Sequence, residues 1–461
     1  MGFGEPRRRR IKPGWFIVAG LLIGGGYYLY KKFSPQFEKI PPKVELLTNS
    51  HWTNLKKPIE VQISDNRGVK FYSVLAIAGG KVYELAKGDE VNRKRVDLNL
   101  TLPPTIISDK VILKVTAVDT SKWNFFAGNK TEKSFQFRVD TTPPKGGVIT
   151  QSYAIGRGGS AVAVVKAYDK NLKDAYIEVN GKYRFKLTPF LKPHYYISLL
   201  AWPITEKSFR ATLVVEDKAG NIIRRHIPLY YRNYRYPDRK ITIPDRFIEN
   251  VAIPILEKMK IPFDPNNKIE IFKLMNEKVR YLNNREISQL TRQVWDKTFT
   301  RFWVGPFNPL PGSKKEAGFG DFRHYYIDGK EVSTAYHRGI DLAKVKHSKI
   351  YLSNPGVVVA TKWIGIYGNV TIIYHQLGLY TLYAHQSQYL VQKGEQVPKG
   401  KVIGLTGSTG GVLGDHLHFG VYIQGIAVNP LEWMDPHFIK TSIINVIQRA
   451  KKVIVDAGET N

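Results

Sequence analysis

Residues 414–423 read GDHLHFGVYI and place His416 and His418 two positions apart in an alternating apolar run. Side chains at positions i and i+2 of a β-strand point to the same face, so both imidazole rings can enter one site. A second stretch, AYHRGIDLA, places His337 four residues before Asp341. In an extended strand or a helical turn this pair also lies on one side. The four side chains predict one site lined by imidazole nitrogens and a carboxylate oxygen.

Histidine is concentrated around these motifs. Of the 11 histidines, seven fall in fewer than a hundred residues: His324, His337, His347, His375, His385, His416 and His418. Two histidines and one carboxylate with an open fourth position form a catalytic zinc arrangement. The chain has no cysteine, which excludes thiolate metal sites, disulfides and a cysteine nucleophile. No H-E-x-x-H motif occurs, so the site is not of the thermolysin type.

Short apolar runs separated by glycines surround the histidines. They predict a small all-β catalytic domain with strands at residues 355–359, 368–373, 381–384, 402–405 and 418–423. The GSTGG sequence at residues 407–411 is typical of a flexible rim loop.

These motifs resemble the lysostaphin/LytM-type zinc metallopeptidase family, whose members are peptidoglycan endopeptidases. The stretches that carry the resemblance are residues 318–343, 368–385, 397–410 and 414–430. It covers roughly residues 305–435, which is under a third of the chain. It implies a compact β-domain that holds one Zn²⁺ and hydrolyses the peptide cross-links of the bacterial cell wall.

The resemblance also assigns roles to individual residues. His337, Asp341 and His418 match the metal ligands of the family. His385 and His416 match its two catalytic histidines, which are not ligands. They would hold or deprotonate the zinc-bound water and stabilise the oxyanion or protonate the leaving amine. Which of the two is the general base stays open.

Five other polar residues of this region receive weaker predictions. His375 corresponds to a family position outside the site and is expected to be structural. His324 and His347 are expected in loops. Arg323 is a candidate substrate clamp in the cleft, and Asn369 fits a turn before a strand.

Length and charge limit what the rest of the chain can be. A chain of 461 residues predicts three or four folded units, and the pattern indicates a mainly β multidomain protein. The formal net charge is +30, with most of the excess upstream of residue 300. No zinc finger, RNP-like run or basic zipper accompanies it, so we expect no nucleic-acid partner. An anionic polymer or anionic lipid headgroups fit the charge equally well.

The N-terminal segment predicts a membrane anchor. Arg7–Arg10 and Lys12 precede the uncharged run WFIVAGLLIGGGYYLY at residues 15–30. No A-x-A cleavage pattern follows, and aromatic residues bracket the run. We therefore predict a cytoplasmic tail at residues 1–13, a single span through the lipid bilayer at residues 14–33, and a periplasmic or extracytoplasmic remainder. The alternative is a cleaved signal peptide.

The chain between the anchor and the histidine-rich region divides by pattern. Short strands and turn residues predict two β-sandwiches that resemble bacterial immunoglobulin-like modules, joined by the Pro-rich VDTTPPK. A weak repeat relates LKVTAVDTSKWN to LVVEDKAGN. The predicted domains are residues 43–141 and 142–236 (sandwiches), 237–304 (helical connector), 305–436 (zinc peptidase) and 437–461 (C-terminal helix or tail).

In the connector, apolar residues recur at spacings of three and four. Asp264 and Pro265 suggest the start of one helix, and a run from Ile287 to Trp295 suggests another. The connector is either a packed spacer or a regulatory element that lies across the cleft.

The leading functional hypothesis is a membrane-anchored zinc endopeptidase that remodels peptidoglycan. Its candidate protein partners are those of the division or elongation machinery. A wall-binding activator of other hydrolases and a zinc peptidase acting on proteins are the alternatives. Direct D-amino-acid cross-links are favoured slightly over glycine bridges as the bond that is cut.

Overall fold

The chain folds mostly into β-strands. The computed structural model describes residues 14–299 and 305–456; the predicted cytoplasmic tail at residues 1–13 lies outside these ranges. Contacts divide the chain into two compact units. The first is Met1–Pro143 with Asp217–Asn221, and the second is Pro144–Glu216 with Ile222–Asn461.

The first unit begins with helix Gly14–Phe33 and a 3₁₀ turn, Ser34–Phe37. The helix coincides with the segment predicted as a membrane anchor. Within residues 14–299 and 305–456, however, no helix combines the length and the apolar character that crossing a membrane requires. The transmembrane helix is therefore not confirmed.

The first β-module is one continuous seven-stranded sheet. Its central strand, Ile59–Ala78, is 20 residues long and bonds to four neighbours. The register shifts between Ser64 and Val69, where residues of this strand leave the ladder. The other strands are Lys43–Leu46, Trp52–Thr53, Lys81–Gly88, Arg93–Leu100, Lys110–Asp119 and Lys130–Val139. A β-sandwich has two sheets, whereas the strands of this module form one. The immunoglobulin-like character of the module therefore stays a prediction.

Two aspartates at the ends of strands, Asp119 and Asp217, share a hydrogen-bond pattern. Asn129 donates its side-chain amide to Oδ2 of Asp119 at 2.8 Å, and Asn221 does the same to Asp217 at 2.7 Å. Each asparagine also donates its backbone N–H to the Oδ1 atom of the same aspartate. The two turns are alike in their hydrogen bonds, but Asn129 lies beyond the LKVTAVDTSKWN segment, so the predicted repeat is matched only at its aspartate.

The second unit begins with two four-stranded sheets, as expected for a sandwich. One sheet contains, in order, Thr188–Pro189, Tyr195–Ala201, Ser160–Tyr168 and Lys145–Gln151. The other contains Tyr183–Lys186, Leu172–Val179, Ala211–Asp217 and Ile222–His226. A separate parallel pair joins Ala154–Gly156 to Tyr230–Arg232. Apolar side chains of both sheets, such as Val164 of the first and Leu213 of the second, are fully buried in the core.

The connector is helical, but its boundaries differ from the prediction. Its helical segments are Asp245–Phe247, Ile248–Ala252, Ile253–Lys258, Lys268–Lys273, Leu274–Val279 and Arg280–Leu290. The second helical run starts after Asn267, whose side chain caps it by accepting from the backbone N–H of Glu270. Val294 and Trp295 lie beyond the last helix. The connector also contributes a strand, Asp238–Thr242, which pairs in parallel with Phe322–Ile327.

The histidine-rich region is built on an eight-stranded sheet. Its antiparallel order is Lys314–Ala317, Ile340–Ala343, Leu417–Ile423, Leu379–Ala384, Asn369–Tyr374, Gly356–Trp363 and Gln396–Val397, with Ile426–Val428 beside Leu417–Ile423. Lys330–Tyr336 pairs with Phe322–Ile327, and a smaller sheet holds Lys349–Tyr351, Val402–Leu405 and Gln388–Tyr389. The region is therefore all-β, as predicted.

The C-terminal segment is helical. Its segments are Pro430–Met434, Pro436–Phe438, Ile439–Ile444 and Asn445–Asp456. Trp433 is fully buried, and its indole nitrogen donates to Oγ of Ser160 at 2.9 Å. One continuous hydrophobic core runs through the sandwich, the connector, the histidine-rich sheet and these helices. The second unit is thus a single packed body.

Candidate metal centre and active site

Strand register brings the site residues together. Asp341 lies on strand Ile340–Ala343 and is paired directly with His418 on strand Leu417–Ile423. On the other side of His418, Ala384 is its partner in the ladder. His385 follows immediately, so three of the five predicted site residues meet on adjacent strands.

The three predicted metal ligands converge on one point. Nε2 of His337 lies 3.1 Å from Oδ1 of Asp341 and 3.0 Å from Nδ1 of His418. That Nδ1 atom lies 2.9 Å from the same Oδ1 atom. Tetrahedral zinc with ligands at about 2.0–2.2 Å requires separations of roughly 3.3–3.6 Å between ligand atoms. The observed spacing is close to that requirement, and the donor set fits zinc.

A backbone contact fixes the orientation of His337. Its Nδ1 atom lies 2.7 Å from the carbonyl oxygen of Gly318, so this nitrogen carries the proton and donates it. The lone pair of Nε2 then faces the other two ligands. Such a contact outside the ligand set selects the tautomer that a metal requires.

The side chains are held in the charge states that suit a cation. Burial alone would raise the pKa of Asp341, but His337 and His418 outweigh it and hold that pKa well below its ordinary value. Burial lowers the pKa of His418 to about 4, against the opposing effect of Asp341. At neutral pH the site therefore presents a carboxylate and a neutral imidazole ring, which are the forms that bind zinc.

The other two predicted histidines lie beside this centre. Their rings are 4.9 Å apart, and the ring of His385 is 5.8 Å from that of His418. Nδ1 of His385 donates to the carbonyl of Thr409 at 2.8 Å. Nδ1 of His416 donates to the carbonyl of Gly414 at 2.9 Å. In both residues Nδ1 is therefore the nitrogen that carries a proton, and Nε2 points away from these carbonyls.

His385 and His416 differ in their surroundings. His385 is buried and adopts a left-handed backbone conformation, with φ of 59°. Burial, with His416 as a further cause, lowers the pKa of His385 well below its usual value. His416 is more exposed, and its Nε2 atom lies 3.7 Å from Oδ1 of Asp341. The positive φ of a non-glycine residue is a strained conformation of the kind that clusters at active sites.

Arg323 contacts the metal-ligand carboxylate. Its Nη2 atom lies 3.3 Å from Oδ2 of Asp341, the oxygen that does not face the histidines. This contact orients the carboxylate and balances its charge. Arg323 is therefore positioned to orient Asp341, whereas the sequence suggested that it binds the substrate.

The remaining polar residues lie away from the ligand cluster. His375 is buried between the carbonyl of Pro355 and the hydroxyl of Thr381, at 2.9 and 2.8 Å. His347 lies in a turn, as expected. The expectation of a loop at His324 is wrong, because it lies on strand Phe322–Ile327.

Three residues that the sequence did not single out border the site. The ring of Tyr367 packs edge-on against His418 at 5.5 Å. Its carbonyl accepts from the backbone N–H of His385 at 2.9 Å. Asn283 accepts from the backbone N–H of Ile366 at 2.9 Å, which anchors the turn that carries Tyr367.

Gly339 is the third such residue. A Cβ atom at this position would lie 2.6 Å from Nε2 of His418 and 2.6 Å from the carbonyl oxygen of Phe419. Only glycine allows the backbone between His337 and Asp341 to lie this close to His418 and Phe419 on the neighbouring strand. The signal in the sequence is the glycine inside HRGID, which acquires meaning only when the neighbouring strand is known.

The donor atoms of two histidines and one carboxylate converge, and two further histidines flank them. This arrangement is typical of a mononuclear metallohydrolase centre. Residues 335–430 match the family model of Peptidase family M23. The C-terminal region of the chain is therefore an M23, or LytM-type, metallopeptidase domain.

Curated relatives are similar to part of this chain. The chain is 41% identical over 98 residues to peptidoglycan DD-endopeptidase ShyA of Vibrio cholerae, covering 21% of this chain and 23% of ShyA. It is 42% identical over 129 residues to DD-carboxypeptidase/endopeptidase Mpg of Neisseria meningitidis, covering 28% of this chain and 29% of Mpg. The chain thus spans less than a third of the length of these relatives.

Solved structures are similar to part of this chain as well. The catalytic domain of lysostaphin from Staphylococcus simulans is 28% identical with a TM-score of 0.22, covering 26% of this chain and 92% of that domain. A peptidase M23 protein from Pseudomonas aeruginosa is 19% identical with a TM-score of 0.34, covering 61% of this chain and 94% of that protein.

Proposed function

We propose that this protein is a zinc-dependent endopeptidase that hydrolyses peptide cross-links of peptidoglycan. The observation that carries the proposal is the convergence of the His337, Asp341 and His418 donor atoms within 3.1 Å of one another. The flanking His385 and His416 supply two further imidazoles, each held by a backbone carbonyl at Nδ1. A metal site beside two acid–base groups is the arrangement that metal-assisted hydrolysis of an amide uses.

Each of the chain's own residues has a distinct role in this proposal. Zinc, when bound, lowers the pKa of a coordinated water and polarises the scissile carbonyl. His385 stays neutral and offers Nε2 as a fixed acceptor for an O–H of the nucleophilic water. His416, nearer solvent, can exchange protons there and reach the leaving amine. Arg323 holds the Asp341 carboxylate in place throughout.

The proposed substrate rests on the relatives. ShyA is named as a peptidoglycan DD-endopeptidase, and Mpg as a DD-carboxypeptidase/endopeptidase. We propose by analogy that this chain cuts a direct D,D cross-link. Cell-wall remodelling follows from that bond, because cutting it separates neighbouring strands of the wall.

The test is digestion of purified cross-linked peptidoglycan by the zinc-loaded full chain, followed by mass spectrometry of the fragments. Walls with direct D,D cross-links, walls with glycine bridges and a denatured protein are offered in parallel. We expect cross-linked dimers from the first wall to become monomers, and chelation to stop the reaction. His416→Ala should slow hydrolysis by about 10²–10⁴-fold.

The control for His416 is His226→Ala, since His226 is an exposed histidine on a strand of the sandwich. It should retain full activity. A wall left intact by a zinc-loaded, folded protein would contradict the endopeptidase proposal and favour an activator of other hydrolases. Cleavage of the denatured protein alone would favour a peptidase of proteins.

We also propose that the catalytic domain acts outside the cytoplasm, where peptidoglycan lies. The support is the basic run before residue 13 and the apolar residues that follow it. Fractionation of cells that express the full chain, with external protease added to spheroplasts, tests the location. The catalytic domain should be cleaved in spheroplasts; protection until the cells are lysed would contradict the proposal.

A further inference from the structure

The first unit contains three carboxylates that the zinc chemistry does not use. Glu38, Asp65 and Asp119 each offer an oxygen, and these oxygens lie within 4.8 Å of one another. Asp119 is fully buried at the end of strand Lys110–Asp119, and Asp65 is 9% exposed. Glu38 is half-buried in the segment before the first strand. Here we call these three residues the acidic cluster.

Within residues 14–299 and 305–456, no carboxylate of the acidic cluster forms an ion pair with lysine, arginine or histidine. Arg67 is close in sequence, but its guanidinium donates to the carbonyl oxygen of Pro35. Three carboxylates at this separation repel one another, and burial removes the water that would screen them. The cluster therefore requires a compensating charge.

The oxygens of Asp119 are already bonded. Oδ1 accepts from the backbone N–H groups of Ser121 and Asn129, at 3.0 and 2.8 Å. Oδ2 accepts from the side-chain amide of Asn129 at 2.8 Å. Because Asp217 and Asn221 form the same arrangement, these bonds alone describe a structural turn and do not indicate a ligand.

Asp65 provides a second observation in favour of a bound ion, independent of the clustering of the three carboxylates. Its Oδ1 atom accepts from the backbone N–H groups of Arg67 and Gly68, both at 2.8 Å. Its Oδ2 atom is buried and has no hydrogen-bond partner. A buried, charged oxygen without a partner is costly to the fold. Since an oxygen of the same carboxylate lies within 4.8 Å of oxygens of Glu38 and Asp119, a cation bound by the three residues would compensate this buried charge.

We propose that Glu38, Asp65 and Asp119 bind one Ca²⁺ ion. The donors are all oxygens, and no histidine or cysteine belongs to the cluster, which disfavours zinc. Calcium takes six to eight oxygen ligands at about 2.3–2.6 Å and tolerates irregular arrangements of carboxylates. Two positive charges would offset most of the three negative ones.

The ion would stabilise the segment that enters the module. The carbonyl of Glu38 accepts from Oγ of Ser121 at 2.7 Å and from the amide of Asn129 at 2.9 Å. Two residues earlier, the carbonyl of Gln36 accepts from the backbone N–H of Lys122 at 2.6 Å. The ion would thus connect residues 36–38 to the turn after Asp119.

The test measures Ca²⁺ binding to the zinc-loaded full chain by calorimetry and counts bound ions by native mass spectrometry. Asp65→Asn keeps the Oδ1 acceptor and removes the charge, and should bind one Ca²⁺ fewer than the unaltered protein. Asp109→Asn, an exposed aspartate of the same module, is the matched control and should bind the full number. Trypsin cleavage after Lys39 should slow at least several-fold with Ca²⁺ only when Asp65 is intact.

Glu38→Gln is a second variant, at a residue outside the strands. It tests Ca²⁺ binding by the acidic cluster if Asp65→Asn does not fold. It too should bind one ion fewer. The proposal is overturned if both folded variants bind as many ions as the unaltered protein, or if Ca²⁺ leaves cleavage after Lys39 unchanged. Protection by Mg²⁺ and not by Ca²⁺ would also overturn it.

Discussion

The hydroxyl of Tyr367 donates to Oδ1 of Asn284 at 2.8 Å, which joins a helix of the connector to a residue that touches a metal ligand. Next to it, Asn283 accepts from the backbone of Ile366. Among the residues that the structure describes, no hydrogen bond joins the connector to the five predicted site residues. The connector therefore acts on the site through the turn that holds Tyr367.

Asn283→Ala should loosen that turn. The backbone N–H of Ile366 would lose its acceptor in a buried environment, which costs about 1–3 kcal/mol. We expect lower unfolding stability and a several-fold fall in kcat/KM, with one zinc ion still bound. Chemical denaturation, wall digestion and metal analysis check this. Asn266→Ala, at an exposed asparagine of the connector, should change none of the three; unchanged kinetics in Asn283→Ala would contradict the role assigned to the turn.

Gly339→Ala should displace His418. The added methyl group would meet Nε2 of His418 and the carbonyl of Phe419 at 2.6 Å, so the ring or the strand must move. We expect zinc affinity to fall by about 10–100-fold, as when the support of a ligand is lost. Gly414→Ala is the matched control, because a Cβ atom there meets nothing within 4 Å. Equal zinc affinity in the two variants would refute the steric argument.

Two buried histidines should behave oppositely. Burial lowers the pKa of His375 to about 4, and its two ring nitrogens contact Pro355 and Thr381. His375→Ala should therefore lower unfolding stability and leave the zinc content of the folded protein at one. His418→Ala should abolish stoichiometric zinc binding. Metal analysis after gel filtration distinguishes them, and loss of zinc from folded His375→Ala would count against the assignment.

Glu432 should make stability depend on pH. Burial raises the pKa of Glu432 from 4.5 to about 7, although the N–H and hydroxyl of Ser160 oppose the shift. Between these values the folded state holds a proton that the unfolded chain releases, so its stability falls as pH rises. Glu432→Gln should match the unaltered protein near pH 4 and exceed it above pH 7.

Denaturation curves across that pH range provide the measurement for Glu432. Glu316→Gln, at an exposed glutamate, should follow the unaltered protein at every pH. If the difference between Glu432→Gln and the unaltered protein does not grow with pH, the raised pKa is not present in solution.

The sequence predicted the arrangement of the site because its signals are local. Alternation in GDHLHFGVYI placed His416 and His418 on one face, and both approach Asp341 in the structure. The all-β character of the region followed from short apolar runs. The sequence of one strand does not tell which residue of another strand lies beside it. The structure supplies this by pairing Asp341 with His418.

Other features depend on contacts between distant segments. Asn283 and Tyr367 are 84 positions apart, and neither stretch shows a pattern that relates them. His324 lies on strand FRHYYI, in which Arg323 and His324 are adjacent and Tyr325 to Ile327 are all apolar or aromatic, so the sequence lacks the strict alternation that predicts a strand. Strand Asp238–Thr242 was hidden for the same reason, since DRKIT contains one strongly apolar residue.

The contact between Ser160 and Trp433 has a consequence for biosynthesis. These residues are separated by 273 positions, and Glu432 accepts from the same serine. The second unit therefore cannot complete its core until Trp433 has left the ribosome. Contacts so distant in sequence slow folding. The apolar residues around Ser160 consequently stay exposed while the 272 residues between Ser160 and Trp433 are synthesised, which favours aggregation of the nascent chain.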